Sequence, residues 1–581
     1  MTVHCMGNGR VCIYGRGAEV FQAFGPEYSS PQAFRITPDE AAASTEKLSR
    51  IAYKHVSEQS VTRDLIPQDA DLFIRAISGK CAFTVSFENG HVSPTPYENT
   101  VISITKPGAP TYVYEFEDGR PNAYTSGKFR YTALRYSGDI AAETVSNSVI
   151  RFTVNGKALL AFAFSLTPRG VFHQLDTANT YLAALRDESD PRLYPGRDMT
   201  VAADHPYYKE ICEGYDVIAA QQSERGSVLA GYNYHLSYVR DNYGVFRFFL
   251  ACGAFSRAKA MLEYYIGVFR ENGRIQNAQG MTEYAFHVHE NDSVEITGYL
   301  VLMFTSYYKA TNDRETLLSG MPLIVYCLEA QHDSMTNGML TFNGDETYIA
   351  GGFLPRSAIN DGSAEATALY HKAITEATVS LGDLIPAGLS ERIKADTEEI
   401  EQKYKANFFG ADGTFYCNCP ESGFAPDVRP GGPLLCGHGL GMGFRNKNGD
   451  YVCPDCLKKD IPPLFPGLYG RRFTTEAALL CPAFTGVTLI PGEILKKTGE
   501  SVLASLPSRE RCVGYEYGMA MYAAGYDRLS AGHMLSQRDE FGAWSEYYDS
   551  GVQSGTLCRP WETAVNLAAL IEMFIYRQYN R

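Results

Sequence analysis

Twelve stretches of helical spacing follow one another through the second part of this 581-residue chain, and their number and order constrain the fold more than any other feature. Apolar residues recur every three or four positions over 207–222, 236–251, 255–270, 290–310, 314–331, 364–381 and 389–408. Beyond an insert the pattern resumes over 474–481, 491–497, 516–524, 528–535 and 559–577. Twelve consecutive helices suit an (α/α)6 toroid, in which inner and outer helices alternate and the loops at one end build a pocket. A stacked α-solenoid is the alternative.

Ahead of the helices, from 10 to about 170, short alternating or apolar runs are cut by Gly, Pro and Asn. RVCIYG, CAFTVSF, TVISITK, TYVYEFE and GKFRYTALRY read as strands. VIRFTV, Asn155-Gly156 and KALLAFAF read as a hairpin on a type I′ turn. The expected organisation is multidomain, α and β. An N-terminal β-sandwich over 1–175 leads through a polar, proline-rich linker over 176–205, with a short helix near 180–186, into the toroid over 206–581.

A net charge of -14 with no basic run argues against nucleic acid and anionic membrane as partners, because both need clustered Lys and Arg. No leader-like segment and no apolar run of bilayer length is present, and the fourteen cysteines are scattered. A cytoplasmic monomer or homodimer acting on a neutral or cationic small molecule is expected, with no organic cofactor.

The chemistry concentrates near the end, in GAWSEYYDSGVQSGTLCRPWETA (542–564). Glu546 lies in an aromatic-rich loop with Trp544, Tyr547 and Tyr548, and Trp561 opens the last helix. Pyranose faces stack on such rings while a carboxylate handles water or hydroxyl protons. Glu516, in GYEYG, is the competing carboxylate. At the opening of the second helix, Tyr238-Val-Arg240-Asp241 could clamp sugar hydroxyls, or form a helix-end ion pair. Asp345-Glu346, beside Tyr348 in a glycine-rich loop after the fifth helix, offers a general acid whose pKa a like charge would raise; solvated turn acids are the bland alternative. Counting helices puts Glu346 and Glu546 nearly opposite on one rim, as an acid and a base would be. His287 and His289, between the third and fourth helices, could touch substrate, bind a metal or cap a helix.

The insert over 416–458 reads CNC, CGH, CPDC and presents Cys417, Cys419, Cys436, His438, Cys453 and Cys456. Thiolates from three short segments suit a structural, tetrahedral Zn²⁺, with disulfides as the alternative.

On these motifs the helical part, roughly 207–581, resembles the six-hairpin glycosidases, especially the glucoamylase family and, at GDETY, the maltose and kojibiose phosphorylase family. The resemblance implies that Arg240 and Asp241 bind the non-reducing sugar, that Glu346 is the general acid and that Glu546 is the general base. Because the chain has 39 Tyr against 2 Trp, unlike the tryptophan-rich glucoamylases, roles are carried over to these four residues alone. The expected activity is inverting hydrolysis of terminal sugars from an oligosaccharide or glycoside. An inverting phosphorylase, a polysaccharide lyase and a non-catalytic sugar-binding protein are the alternatives. Tyr238, Asp345, His287, His289, Glu516, Trp544 and Trp561 are the expected substrate contacts.

Overall fold

The computed structural model describes residues 2–29, 32–88, 91–107, 110–115, 121–125, 128–281, 286–287, 292–340, 362–419, 421, 444–445, 451–460, 472, 474 and 477–579. Its N-terminal part carries β1 (Val3–Gly7), β2 (Cys12–Arg16), β3 (Glu19–Phe24), β4 (Phe34–Pro38), β5 (Ser44–Ser49), β6 (Ala52–Val56), β7 (Ser60–Leu65) and β8 (Leu72–Phe87). There follow β9 (Val92–Pro94), β10 (Thr100–Thr105), β11 (Pro110–Glu115), β12 (Pro121–Thr125), β13 (Arg130–Ser146) and β14 (Val149–Ser165). Twelve of these strands form one hydrogen-bonded network, in the order β1-β2-β3-β4-β8-β14-β13-β10-β9 with β5-β6-β7 branching from β8. The branch explains the length of β8: its first half pairs with β7 and its second half with β4, while β14 runs along both.

The expected hairpin at Asn155-Gly156 is not there. Both residues lie inside β14, opposite Lys80 and Gly79 of β8. Glycines 79, 138 and 156 cross β8, β13 and β14 at one level. A Cβ at any of them would overlap a neighbouring backbone carbonyl or the Asp139 carboxylate. The Asn-Gly signal therefore reports a close strand crossing, with the positive φ at Gly79 and Gly138, where a turn was expected. Helices α1 (Pro168–Thr177) and α2 (Leu182–Arg186) follow, and Val171, Leu175, Ala184, Leu185 and Leu193 pack into the sheet's core.

The remaining helices are α3 (Tyr208–Ala220), α4 (Val239–Cys252), α5 (Phe255–Asn272), α6 (Asp292–Thr311), α7 (Arg314–Asp333), α8 (Ala364–Leu381) and α9 (Ala387–Phe408). After a short α10 (Pro454–Lys459) in the insert come α11 (Ala477–Thr485), α12 (Gly492–Ser505), α13 (Glu516–Ala524), α14 (Arg528–Gln537) and α15 (Pro560–Tyr579). Six of them touch in a closed circle, α4-α6-α8-α11-α13-α15 and back to α4, with α3, α5, α7, α9, α12 and α14 outside. This is the ring that the periodicity predicts. Burial sorts the two layers. Along α4 almost every side chain is buried, whereas α9 buries a stripe, Leu389, Ile393, Ile400 and Tyr404, on one face.

The circle closes where α4 meets α15, and Gly244 makes that approach possible, because a Cβ there would overlap the Trp561 ring. Gly244→Ala gains helix propensity but overpacks this contact. It is expected to lower stability by about 1–3 kcal/mol, read as a fall in Tm; an unchanged or higher Tm would show that the seam can relax.

Candidate active site at the rim of the helical ring

Two loops that enter inner helices, those before α4 and α15, build most of the described site. Residues 221–238 lead into α4, whose first turn carries Arg240 and Asp241, both buried. Residues 538–559 lead from α14 into α15. Within them Tyr547–Asp549 pairs with Val552–Ser554 across Ser550-Gly551, both at positive φ. The base of this loop is tied to α15: Trp544 N–H donates to Thr563 Oγ1 at 3.1 Å, and Arg559 N–H donates to the Trp544 carbonyl at 3.0 Å.

Glu546 emerges from this frame half-buried. The Thr556 N–H donates to its Oε2 at 2.9 Å and the Tyr234 hydroxyl donates to its Oε1 at 3.3 Å. Its own N–H donates to the Thr556 carbonyl at 3.0 Å, and Gly514 N–H donates to its carbonyl at 2.9 Å. Gly555, at φ 66°, is required beside it, since a Cβ there would lie 2.9 Å from Glu546 Oε2. The carboxylate is thus aimed by two donors and keeps partial access to water, as a group that orients a water or a sugar hydroxyl needs.

Arg559 sits beneath it. Its Nη2 lies 3.2 Å from Asp241 Oδ1, its Nε donates to Glu562 Oε2 at 3.0 Å, and Nη1 donates to the Ala230 carbonyl. The guanidinium carbon stands 5.3 Å from the centroid of the Tyr234 ring. Burial alone would weaken this cation, but Glu562, then Asp241 and Glu546, hold its pKa well above the usual value. Burial pushes the Glu562 carboxyl from 4.5 up to about 8, with Asp241 and Glu546 adding to the rise and Arg559 opposing it.

Asp241 therefore reads as one half of an Arg–Asp pair in sequence, yet a guanidinium that it meets in space is Arg559, at the other end of the ring closure. The two tryptophans expected as sugar platforms are corrected. Trp544 is fully buried with its indole N–H on the Met534 carbonyl at 2.9 Å, and Trp561 is walled in by Tyr515 and Phe484. Both are core rings, and among the described residues the half-exposed aromatics near Glu546 are Tyr234 and Tyr547. Tyr238 is the N-cap residue of α4, its ring edge-on to Tyr234 at 6.5 Å. Glu516, also buried, accepts from Val513 N–H at 2.8 Å and from Arg509 Nη1 at 3.2 Å, which ties it to its own loop.

The strand order Ser237–Tyr238, Ala278–Gln279, Phe286–His287 brings the backbone of His287 to the entry of α4. His289, Asp345 and Glu346 lie outside the described residues, as do Cys436 and His438 of the insert. The loop of Glu346 enters α8, which stands three places from α15 in the circle of six and so across from it. In the insert, Cys417, Cys419, Cys453 and Cys456 are buried and form no disulfide among the described residues, and among those residues no three groups of metal-ligand type gather. Cys453 caps α10, its Sγ accepting the Cys456 N–H at 3.4 Å.

Sequence reasoning missed Tyr234, Arg559 and Glu562. The Arg559–Glu562 spacing at the start of the last helix, one turn apart, was a signal for the latter two; Tyr234 carried none.

No protein-family model and no curated protein sequence matches this chain. Among solved structures it is similar to a bacterial glucoamylase complexed with acarbose, with a TM-score of 0.61 at 13% identity over 100% of this chain and 96% of that one. It is also similar to a protein named as a kojibiose phosphorylase from the human microbiome, with a TM-score of 0.54 at 9% identity over 98% of this chain and 86% of that one. At these identities the likeness is one of fold.

Glu562 generates a pH test. Its proton is bound more tightly in the folded chain than in the unfolded one, so between about 4.5 and about 8 folding retains a proton that unfolding releases, and stability falls as pH rises through that window. Glu562→Gln copies the neutral form. Its Tm should match that of the parent near the acid end and exceed it increasingly towards pH 8 to 9; a constant Tm difference across the series would mean that Glu562 is ionised throughout.

Proposed function

We propose that this chain is a glycoside hydrolase that releases terminal sugars with inversion, Glu546 acting as general base and Glu346 as general acid. The observation that carries the reading is Glu546 itself: a carboxylate aimed by Tyr234 and Thr556, half-open to water on the rim, over a buried Arg559–Asp241 pair. The fold likeness supports a carbohydrate-active enzyme in general. In this reading Arg240 and Asp241 grip hydroxyls of the terminal sugar, Glu346 protonates the glycosidic oxygen, and Glu546 draws a proton from a water on the opposite face of the ring. For such a reaction the two carboxyl groups stand ~6.5–9.5 Å apart, leaving room for the water.

A panel of maltose, kojibiose, isomaltose, cellobiose and laminaribiose, each with and without phosphate, tests the reaction class. Released reducing sugar without phosphate, of inverted configuration by NMR, is expected. Cleavage that depends on phosphate would replace the hydrolase by a phosphorylase, in which the anion is the nucleophile and no base is needed. Glu546→Gln should abolish hydrolysis with binding retained. Glu346→Gln should do the same but spare glycosyl fluorides, whose leaving group needs no proton. Full hydrolysis by Glu546→Gln would remove the base from this residue.

The same reading includes a structural zinc in the insert. Its support is the Cys453-Pro-Asp-Cys456 turn, where an N–H already points at the first sulfur, as in thiolate knuckles. Since the described cysteines do not gather in threes, Cys436 or His438 would have to complete the set. Elemental analysis should give about one zinc per chain, and a chelator should lower Tm; a metal-free protein or a Cys453–Cys456 disulfide would end the idea.

A further inference from the structure

The loop that bears Glu546 leaves α14 through a turn that is seated on the N-terminal sheet. Asp539 organises the turn: its Oδ1 accepts the N–H of Phe541 at 2.9 Å and of Ala543 at 2.8 Å, and its own N–H donates to the Ala543 carbonyl at 2.8 Å. Gly542, at φ 93°, lets the backbone pass α3, where a Cβ would come within 2.7 Å of Glu213 Cβ. Phe541 is thereby sent away from the ring and into the β-core. There its ring meets His4 of β1 at 5.7 Å and Tyr53 of β6 at 5.6 Å, both edge-on and both buried. Lys47 of β5 locks the same point, its Nζ donating to the carbonyls of Phe541 at 3.2 Å and Glu213 at 3.1 Å. Phe541 belongs to the hydrophobic core of the sheet, whereas Trp544, three residues on, belongs to that of the helical ring.

A second seat lies under the donor of Glu546. Next to Tyr234, the His235 ring stacks on Phe24 of β3 with centroids 3.7 Å apart, and its Nε2 bonds the Tyr28 carbonyl at 2.8 Å. Burial pushes the pKa of His235 down to about 4, so the stack is a neutral ring on a neutral ring. Both the backbone that carries the carboxylate and the hydroxyl that aims it are thus moored on the N-terminal part of the chain, Phe541 on Lys47, 494 residues earlier, and His235 on Tyr28, 207 residues earlier.

We propose that Phe541 and His235 are positioning residues for Glu546, and that the N-terminal sheet sets the direction of the catalytic carboxylate and of its tyrosine donor by seating them. The proposal rests on the reading of Glu546 as base. Its physical content is that a catalytic group displaced by about 1 Å loses on the order of 10²-fold in rate while substrate binding, made elsewhere on the rim, persists. Arg559 and Glu562 on the side of α15 and Asp241 of α4, which act on one another and on Glu546, belong to neither seat.

The test uses the full chain and whichever disaccharide of the panel it cleaves fastest, with rates expressed per folded molecule from the thermal transition. Phe541→Ala and His235→Ala should each lower kcat about tenfold or more with KM within twofold, and Phe541→Leu, which refills the seat, should recover most of the loss. Should Phe541→Ala not fold, Lys47→Met takes its place, removing the ammonium from the Phe541 carbonyl while leaving the aromatic seat filled. Normal kcat in folded variants, or a loss that Phe541→Leu does not recover, with Glu546→Gln inactive, would overturn the proposal. An active Glu546→Gln would instead overturn the base assignment beneath it.

Discussion

The structure turns on one buried guanidinium. Arg559 has no solvent to stabilise it, so the protein must supply acceptors, and it does so from both sides of the seam that closes the ring: Glu562 from α15 and Asp241 from α4. Both carboxyl groups lie in the first turn of their helix, where unpaired backbone N–H groups favour negative charge. Replacing such a cluster by apolar side chains often costs a fold nothing. Its retention at a rim, with a half-open carboxylate and a tyrosine hydroxyl above it, fits a site in which rigidity of charge matters more than stability.

That arrangement divides labour between two layers of the chain. The inner helices meet only along their sides, leaving their N-terminal ends free to hold long loops, and the loops described take their shape from bonds to helix ends and to the N-terminal sheet. Tyr14 of β2 reaches Gln221, and the edge of the Tyr232 ring meets Tyr14 and Phe21, so that sheet and rim loops share one packed boundary.

What could be read from sequence followed from what periodicity encodes. Twelve helices were legible because burial on a stripe, or all round, leaves apolar residues at helical intervals. The one markedly short reading, 491–497 against the observed Gly492–Ser505, failed where Gly499 interrupts the pattern; it is small because α12 crosses α13 there and a Cβ would press on the Ala520 carbonyl. Glu546 and Asp241 were legible as carboxylates among aromatic residues on loops of a countable order. The roles of Trp544 and of Asn155-Gly156 were not, since a tryptophan beside a carboxylate looks the same whether its face is open or walled in, and Asn-Gly looks the same in a turn and in a strand crossing. Arg559 as partner of Asp241 was beyond reach, because 318 residues separate them and only the closure of the ring brings them together.

That closure also orders events in time. On a ribosome, Asp241 emerges hundreds of residues before the cation it is destined to meet, and α4 has one flank bare until α15 is made. A growing chain can stack helix upon helix in sequence, but its inner wall remains an open arc. Shutting the arc and joining Arg559 to Asp241 are a single late step. A nascent chain therefore presents the α15-facing flank of α4 until synthesis reaches the segment that covers it.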